Sequence, residues 1–414
     1  MKRRFGALTA AIVVAAIACV TALAGAQADP GITKRSIVIG GTFPLSGPAS
    51  SYAPIPVGMK AYFSYANATK GSDGKRGAGG RQIIWKYYDD GYNPANTAQQ
   101  TRKLVEEDKV FALFAGLGTE PQQAVEKYLN DAKVPQLFVS TGATEFGTEQ
   151  GQYPWTIGWQ PDYEAEGAIY GKYIAKNTPT KKIAVIYQND SYGQDYLQGL
   201  KVGLGQHASN IVGTQGFDVT ASSVASQIAA LRTSNADILC IFATPAKTIQ
   251  TYATMKALRY RPADVNLNSV SATDTFMKLA LANADAETVN GSISVSYTKD
   301  PAAAKWANDP AVKLYKKMMA KYAPGADVNN GLYYYGVAKA WDAVKLIDSA
   351  GKNPTRKSLL AAARKINWVN PFLLPGVKER TTTSDPFPIS QVKLVRFNNG
   401  VWTEFGSLIN GRGV

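Results

Sequence analysis

Residues capable of covalent chemistry are scarce in this chain. It has one histidine, His207, and two cysteines, Cys19 and Cys240. A Ser-His-Asp triad would have to use His207, which lies in a polar stretch after Gly205-Gln206, and no G-x-S-x-G elbow accompanies it. A surface histidine without a role is the better reading. Cysteine catalysis would need Cys240, which sits inside the apolar run "ADILCIFA", where a thiol serves as a small core residue. Metal sites built on His or Cys are excluded by count. Asp89-Asp90 offers hard oxygen ligands to calcium, although two acids at a strand end are more often simply solvated. No nucleophile and base can be paired, so no catalytic residue, metal or cofactor is nominated.

What the chain does offer is hydroxyls and bare backbone. "LFVSTGATEFG" (137–147) runs from apolar residues straight into Ser140, Thr141, Gly142 and Thr144. "GGTFPLSG" (40–47) and "GLGTEPQQ" (116–123) likewise follow strands and precede helices. Neither glycine loop matches G-x-G-x-x-G, and neither continues into the Gly-Lys-Ser/Thr of a phosphate loop, so a nucleotide enzyme is poorly supported. All three loops fall at carboxyl ends of expected parallel strands, where open α/β sheets place their ligands. There, N–H and O–H donors can hold an anion such as a carboxylate. Ordinary helix capping by Ser and Thr is the competing reading for any one loop. Three such loops in one half-domain favour binding.

The elements that must position these loops are legible as periodic runs. Continuous apolar strands are expected at 37–43, 83–89, 110–116 and 135–140, alternating with amphipathic helices such as 96–107. This predicts a parallel sheet covered on both faces. The pattern restarts with "KIAVIYQ" (182–188), then 211–219, 237–243 and 265–270. Val224, Ile228 and Leu231 form a buried stripe on a helix between them. The segment "YPWTIGWQPDYEAEG", with Pro154 and Pro161, suits a crossing between the halves. A strand at 293–297, a largely helical stretch and a hairpin around Asn398-Asn399-Gly400 complete the chain.

Composition narrows the class. At 414 residues, 45% hydrophobic and 18% charged, the chain is an ordinary globular mixture long enough for two domains. Lys2, Arg3 and Arg4 precede an uncharged apolar run to Leu23, and Ala26-Gln27-Ala28 provides a cleavage site, so residues 1–28 are expected to be a secretory signal peptide. A membrane anchor and lipid attachment at Cys19 are the alternatives. Loss of Lys2, Arg3 and Arg4, with no acid before Asp29, lowers the net charge from +14 to +11. The positive charge is dispersed, as at Lys181-Lys182 and Lys316-Lys317, and no basic block interleaves with aromatics, so no nucleic-acid partner is expected.

In this order the motifs resemble the extracytoplasmic solute-binding proteins of ABC importers, type I, in the Leu/Ile/Val-binding family. The resemblance is carried by "GTFPLSGPASSYAPIPVGMKAYF" (41–63), "YYDDGYNPANTAQQTRKLVEEDKV" (87–110), "KVPQLFVSTGATEFG" (133–147) and "KIAVIYQNDSYGQDYLQGL" (182–200). It implies an α/β fold of two Rossmann-like lobes with parallel-sheet cores, joined by a three-crossing hinge around a ligand cleft. The implied lobes are 33–158 plus 298–370, and 159–297 plus 371–412. It further implies that Gly118, Thr119, Gly142 and Thr144 hold the ligand's polar end, with Tyr52 as a cleft aromatic and Tyr192 as the contact from the closing lobe. Two departures matter. Where family members bind the ligand ammonium through an acid, this chain aligns Val270 and Ser271, with Asp274 a few residues late. Where they carry a preceding aromatic, it has "ATPAK", Thr244 to Lys247. The ligand contacts expected there are Thr244 and Ser271, and the ligand class is left between a branched-chain amino acid and a carboxylate or amide without an α-amine.

The resemblance implies a monomeric receptor outside the cytoplasmic membrane that hands a small solute to an ABC permease. A sensory receptor of the same fold differs only in its partner. A secreted enzyme has no nucleophile–base pair to name.

Overall fold

The structure, a computed structural model, describes residues 29–71, 73–383 and 385–412. The expected signal peptide and Cys19 lie outside the described residues.

Apolar runs become strands with both faces buried. Strand β1 is Ser36–Phe43, β2 Gln82–Asp89, β3 Ala112–Phe114, β4 Gln136–Val139 and β5 Thr156–Gly158. They form one all-parallel sheet in the order β2-β1-β3-β4-β5. Helices α1 (Pro54–Ala68), α2 (Pro94–Arg102) and α3 (Thr119–Asp131) cover it. Every residue of β3 and β4 is buried, as a sheet covered by helices on both faces requires.

The second sheet repeats this winding. It contains β6 (Ile183–Gln188), β7 (Ile211–Phe217), β8 (Ile238–Phe242), β9 (Asp264–Leu267) and β10 (Ile293–Ser296) in the order β10-β9-β8-β6-β7. Its helices are α4 (Tyr163–Asn177), α5 (Ser191–Leu204), α6 (Ala225–Arg232), α7 (Pro245–Ala257) and α8 (Asp274–Asn283). In both sheets the second strand in sequence lies outside the first and the third lies on its other side. The strand order therefore reverses at the first strand, a topological switch point in each lobe.

After β10 the chain returns to the first sheet with α9 (Pro310–Tyr322), α10 (Gly331–Ser349) and α11 (Arg356–Ala363), α10 packing along α1. A short antiparallel pair follows, β11 (Asn367–Trp368) and β12 (Glu379–Arg380). The expected hairpin, β13 (Gln391–Asn398) and β14 (Val401–Asn410), then extends the second sheet antiparallel to β10. Chain thus passes between the lobes three times, and the crossings touch. The Ile389 N–H donates to the Trp159 carbonyl at 3.2 Å, the Leu374 N–H donates to the Tyr297 carbonyl at 2.8 Å, and the Trp159 and Tyr297 rings meet edge to face at 6.1 Å. Residues 372–374 and Phe387 pack on the first lobe, Phe372 against Tyr62 and Tyr334, and Phe387 over Gly147 and Gly158.

Two local arguments explain how the site-bearing elements are placed. Helices α4 and α5 meet along a glycine seam. A Cβ at Gly199 would stand 2.0 Å from the Glu164 carbonyl oxygen, and one at Gly171 2.4 Å from that of Leu200. Bare backbone lets the helices touch and fixes Tyr163, Tyr192 and Tyr196 as a packed trio, with Tyr163 and Tyr196 stacked at 4.6 Å. Gly118 enters α3 at φ +103°, a conformation that side chains resist, and a Cβ there would meet the Tyr92 ring at 2.6 Å.

Asp89 and Asp90 organise loops. Asp89 accepts from the N–H groups of Leu45 (2.8 Å), Ser46 (3.1 Å) and Gly91 (2.9 Å). Asp90 corrects the solvated reading of this pair. It is fully buried, accepting from Tyr92 N–H and Thr97 Oγ1, and burial pushes its carboxyl up to about 6. Cys240 is a buried residue of β8, as expected, and burial raises its thiol well above the ordinary range. Among the described residues no group of His, Cys, Asp and Glu has the arrangement of a metal site. No helix among them is long and apolar enough to cross a membrane.

Candidate functional site

The two switch points face each other across a cleft, and the loops at the carboxyl ends of the strands bound a cavity of about 140 Å³. From the first lobe come Tyr52 after β1, Gly118 and Thr119 after β3, and Ser140 and Thr141 after β4. From the second come Tyr192 after β6, Thr244 after β8, and Ser269, Val270 and Asp274 after β9. Five of the residues nominated from sequence, Tyr52, Gly118, Thr119, Tyr192 and Thr244, are thereby brought together.

Gly142, Thr144 and Ser271 are not on the lining. Gly142 lies under Pro161 where the first crossing passes, its carbonyl accepting from Tyr163 N–H at 2.8 Å. Thr144 turns toward the opposite lobe, its N–H donating to Asp195 Oδ2 at 2.9 Å. Ser271 is fully buried and donates its hydroxyl to the Ala243 carbonyl at 2.6 Å. In each case the neighbouring residues, Ser140 and Thr141 or Ser269 and Val270, reach the cavity instead. Lys247, last residue of "ATPAK", points away and donates to the Ala221 carbonyl.

Most polar side chains of the lining are phenols and alcohols, although Asp274, Lys299, Asp300, Lys305 and Glu404 also reach it. Tyr52, Tyr92, Tyr163, Tyr192, Tyr297 and Tyr335 all contribute. Burial raises these phenols far above their ordinary range, so they remain O–H groups at any physiological pH. Buried amides orient them. Gln160 accepts from Tyr335 at 2.6 Å and donates to the Tyr163 oxygen at 3.0 Å. Asn268 donates to the Tyr192 oxygen, leaving the Tyr192 hydroxyl proton without an acceptor among the described residues. Thr119 and Thr141 pair at 2.6 Å.

Helix α1 runs into this cavity from the turn at 50–52, also without a side-chain cap, and two further uncapped helices begin here, α3 behind Gly118 and α7 behind Thr244. These last two come from opposite lobes. By contrast α5, which carries Tyr192, is capped by Asp190 accepting from Gly193 N–H. The first-turn N–H groups are those of Thr119 and Glu120 in α3 and of Ala246 and Lys247 in α7, since Pro121 and Pro245 have none, and both termini carry the positive end of a helix dipole. The lobes already touch around them, through Tyr52 O–H to the Val270 carbonyl (3.3 Å) and Gln123 Nε2 to Ser191 Oγ (3.0 Å).

Sequence reasoning missed the charge behind the wall. Lys339 of α10 is fully buried and donates to Ser140 Oγ at 2.6 Å, with its ammonium over the rings of Trp159 (4.8 Å) and Tyr335 (4.9 Å). Burial lowers its basicity strongly, opposed by the Asp342 carboxylate one turn on. Asp342 in turn accepts from Trp159 Nε1 (2.8 Å), Trp368 Nε1 (3.0 Å) and Asn370 Nδ2 (2.9 Å). Burial, reinforced by that neighbour, raises Glu379 well above the carboxylate range. This network ties the cavity wall to the first and third crossings. The available signal was a lysine and an aspartate on the apolar face of "LYYYGVAKAWDAV", at 339 and 342.

Comparison with known proteins agrees with this geometry. Residues 36–401 match the family model described as periplasmic binding protein. The chain belongs to that family. It is similar to the leucine-specific-binding protein of Salmonella typhimurium, 24% identical over 239 residues, 58% of this chain and 60% of that protein. The match thus spans less than two thirds of that relative. Among solved structures, a possible leucine/isoleucine/valine-binding protein from Rhodopirellula baltica superposes with a TM-score of 0.76 at 20% identity, covering 90% of this chain and 97% of that one. A fatty acid ABC transporter substrate-binding protein from Thermomonospora curvata gives 0.77 at 17% identity, covering 94% and 96%. A branched chain amino acid ABC transporter from Thermus thermophilus with bound valine gives 0.76 at 15% identity, covering 92% and 97%. These likenesses establish the fold of a type I periplasmic binding protein, and the family implies an extracytoplasmic location.

Proposed function

We propose that the chain binds a small carboxylated solute, a branched-chain amino acid or a related compound, between its lobes and delivers it to an ABC permease. The observation that carries this reading is the pair of uncapped helix N-termini, one from each lobe, that meet at a hydroxyl-lined cavity. A carboxylate there satisfies free N–H and O–H donors from both sides, so binding and closure become one event. Gly118, Thr119, Thr141, Tyr192 and Thr244 would hold the anion. Lys339 would hold Ser140 in place on the wall, and the tyrosine faces would take the apolar body. The relatives' names supply the ligand class: leucine, valine and fatty acids all carry a carboxylate on an apolar chain. The lobes in this reading are 33–158 plus 298–370 and 159–297 plus 371–412, with the last crossing drawn nearer 390 by the packing of Phe372 and Phe387 on the first lobe. Residues 1–28 would act as a secretion signal, and the mature chain would work as a monomer.

A thermal-shift screen of leucine, its keto acid, aromatic acids and medium-chain fatty acids tests the reading. A ligand present at 100 times its Kd should add about 2.7 kcal/mol of stability. If none of these carboxylates moves the melting point, the proposal loses its basis.

A further inference from the structure

The same lining includes residues that the carboxylate does not need. Three lining residues there each have a buried polar side-chain atom without a partner: Asp274 Oδ1, Asp300 Oδ2 and Trp402 Nε1. They come from three separate elements, the start of α8, the segment after β10, and β14. The rest of each side chain is held. Asp274, 7% exposed, pairs through Oδ2 with Lys278 at 2.9 Å. Asp300 Oδ1 accepts from Ala302 N–H at 2.9 Å. The Trp402 ring packs edge to face on Phe397 at 5.2 Å. A buried donor or acceptor left unpaired is costly, and such atoms are normally satisfied.

We propose that these three atoms form a second subsite, which takes the terminal carboxamide or ureido group of an elongated ligand whose carboxylate sits at the helix termini. The proposal rests on the carboxylate reading above and names the chemistry of the ligand's other end. Two acceptors and one donor are waiting. A carboxamide supplies two N–H donors and one carbonyl oxygen, matching them atom for atom. An ammonium would serve both carboxylates and leave the indole N–H unmet. A carboxylate would serve the indole and face two acids. A hydroxyl has only one proton for two acceptors. Local charge points the same way: Lys278 balances Asp274, and Lys305 and Lys393 on Glu404 beside Trp402 leave one positive charge to offset Asp300, so the group of residues is neutral overall.

Titration calorimetry on the full chain tests this with chain-matched probes: hexanoate, adipate monoamide, 6-aminohexanoate and adipate, repeated with five- and seven-carbon backbones. The monoamide should bind at least about tenfold tighter than hexanoate, the discrimination expected when even one buried polar group is met rather than left unpaired. Trp402→Phe and Asp300→Asn should each bring that ratio toward one. Equal affinity for monoamide and hexanoate, with hexanoate binding still weakened by Tyr192→Phe, overturns the subsite and leaves the carboxylate reading standing. Tightest binding of 6-aminohexanoate or adipate overturns the assigned group. Binding of none of the four overturns the carboxylate reading and this proposal with it.

Discussion

Thr119 and Thr144 stand in equivalent sequence settings, each a threonine just past a strand that ends in small residues. Folding separates them. Thr119 is the first residue of an uncapped helix and its hydroxyl pairs with Thr141 on the cavity wall. The Thr144 hydroxyl is buried away from the lining. Thr119→Val should therefore weaken carboxylate binding by about 1–3 kcal/mol, the usual cost of leaving a charged group one hydrogen bond short. Thr144→Val should leave affinity within about twofold, because no donor to the ligand is removed. Calorimetry on both variants decides; a larger loss at Thr144 would place the anion on the wrong side of the loop. Residue chemistry was legible here as a cluster of hydroxyls, but not which of them faces the ligand. That choice depends on where the first crossing passes, since Pro161 covers Gly142 and Thr144 N–H bonds to Asp195 of the other lobe.

At the scale of elements, the α4–α5 seam holds Tyr163 and Tyr192 together. Gly199→Ala would place a methyl group 2.0 Å from the Glu164 carbonyl oxygen, a backbone atom that cannot swing aside. Alanine favours an isolated helix, yet overpacking should win here and cost about 1–3 kcal/mol. Urea unfolding should show a lower midpoint, and carboxylate binding should weaken as the tyrosine trio shifts. An unchanged midpoint would mean the helices separate freely. Strands were the most legible elements, since β1, β4, β6 and β8 each coincide with an apolar run bounded by turn residues. Their shared winding was not legible without the resemblance, because strand order is set by pairings between distant segments that leave no local period. Lys339 was hidden for a different reason. Apart from Asp342, it is the one charged residue on the buried face of an otherwise apolar helix, and its partners Ser140, Trp159 and Asp342 are scattered over 203 positions of sequence.

For the whole molecule, buried acids set the response to pH. Burial pushes Asp90, Asp162 and Asp300 up to about 6, Asp195 to about 7 and Glu126 to about 8. Each folded-state value lies above that of the unfolded chain, so the native protein holds more protons than the unfolded one between about pH 4 and 8. Stability from these groups is present below the unfolded value and is lost as pH rises through the folded one. The melting temperature should fall across that window by on the order of 5 °C. The measurement belongs in about 0.3 M salt, where dispersed surface charges are screened and the net positive charge contributes little. Glu126 provides the sharpest check. It is 4% exposed on α3, its Oε1 has no hydrogen-bond partner, and it alone of these five titrates near the top of the window. Glu126→Gln imitates the protonated acid at every pH, so the variant should match the parent at pH 5 and melt higher than it at pH 8. A melting temperature that climbs from pH 4 to 8, or a glutamine variant with the parent's slope, would mean these carboxyls are charged in the folded chain and reach solvent that the packing of α3 denies them.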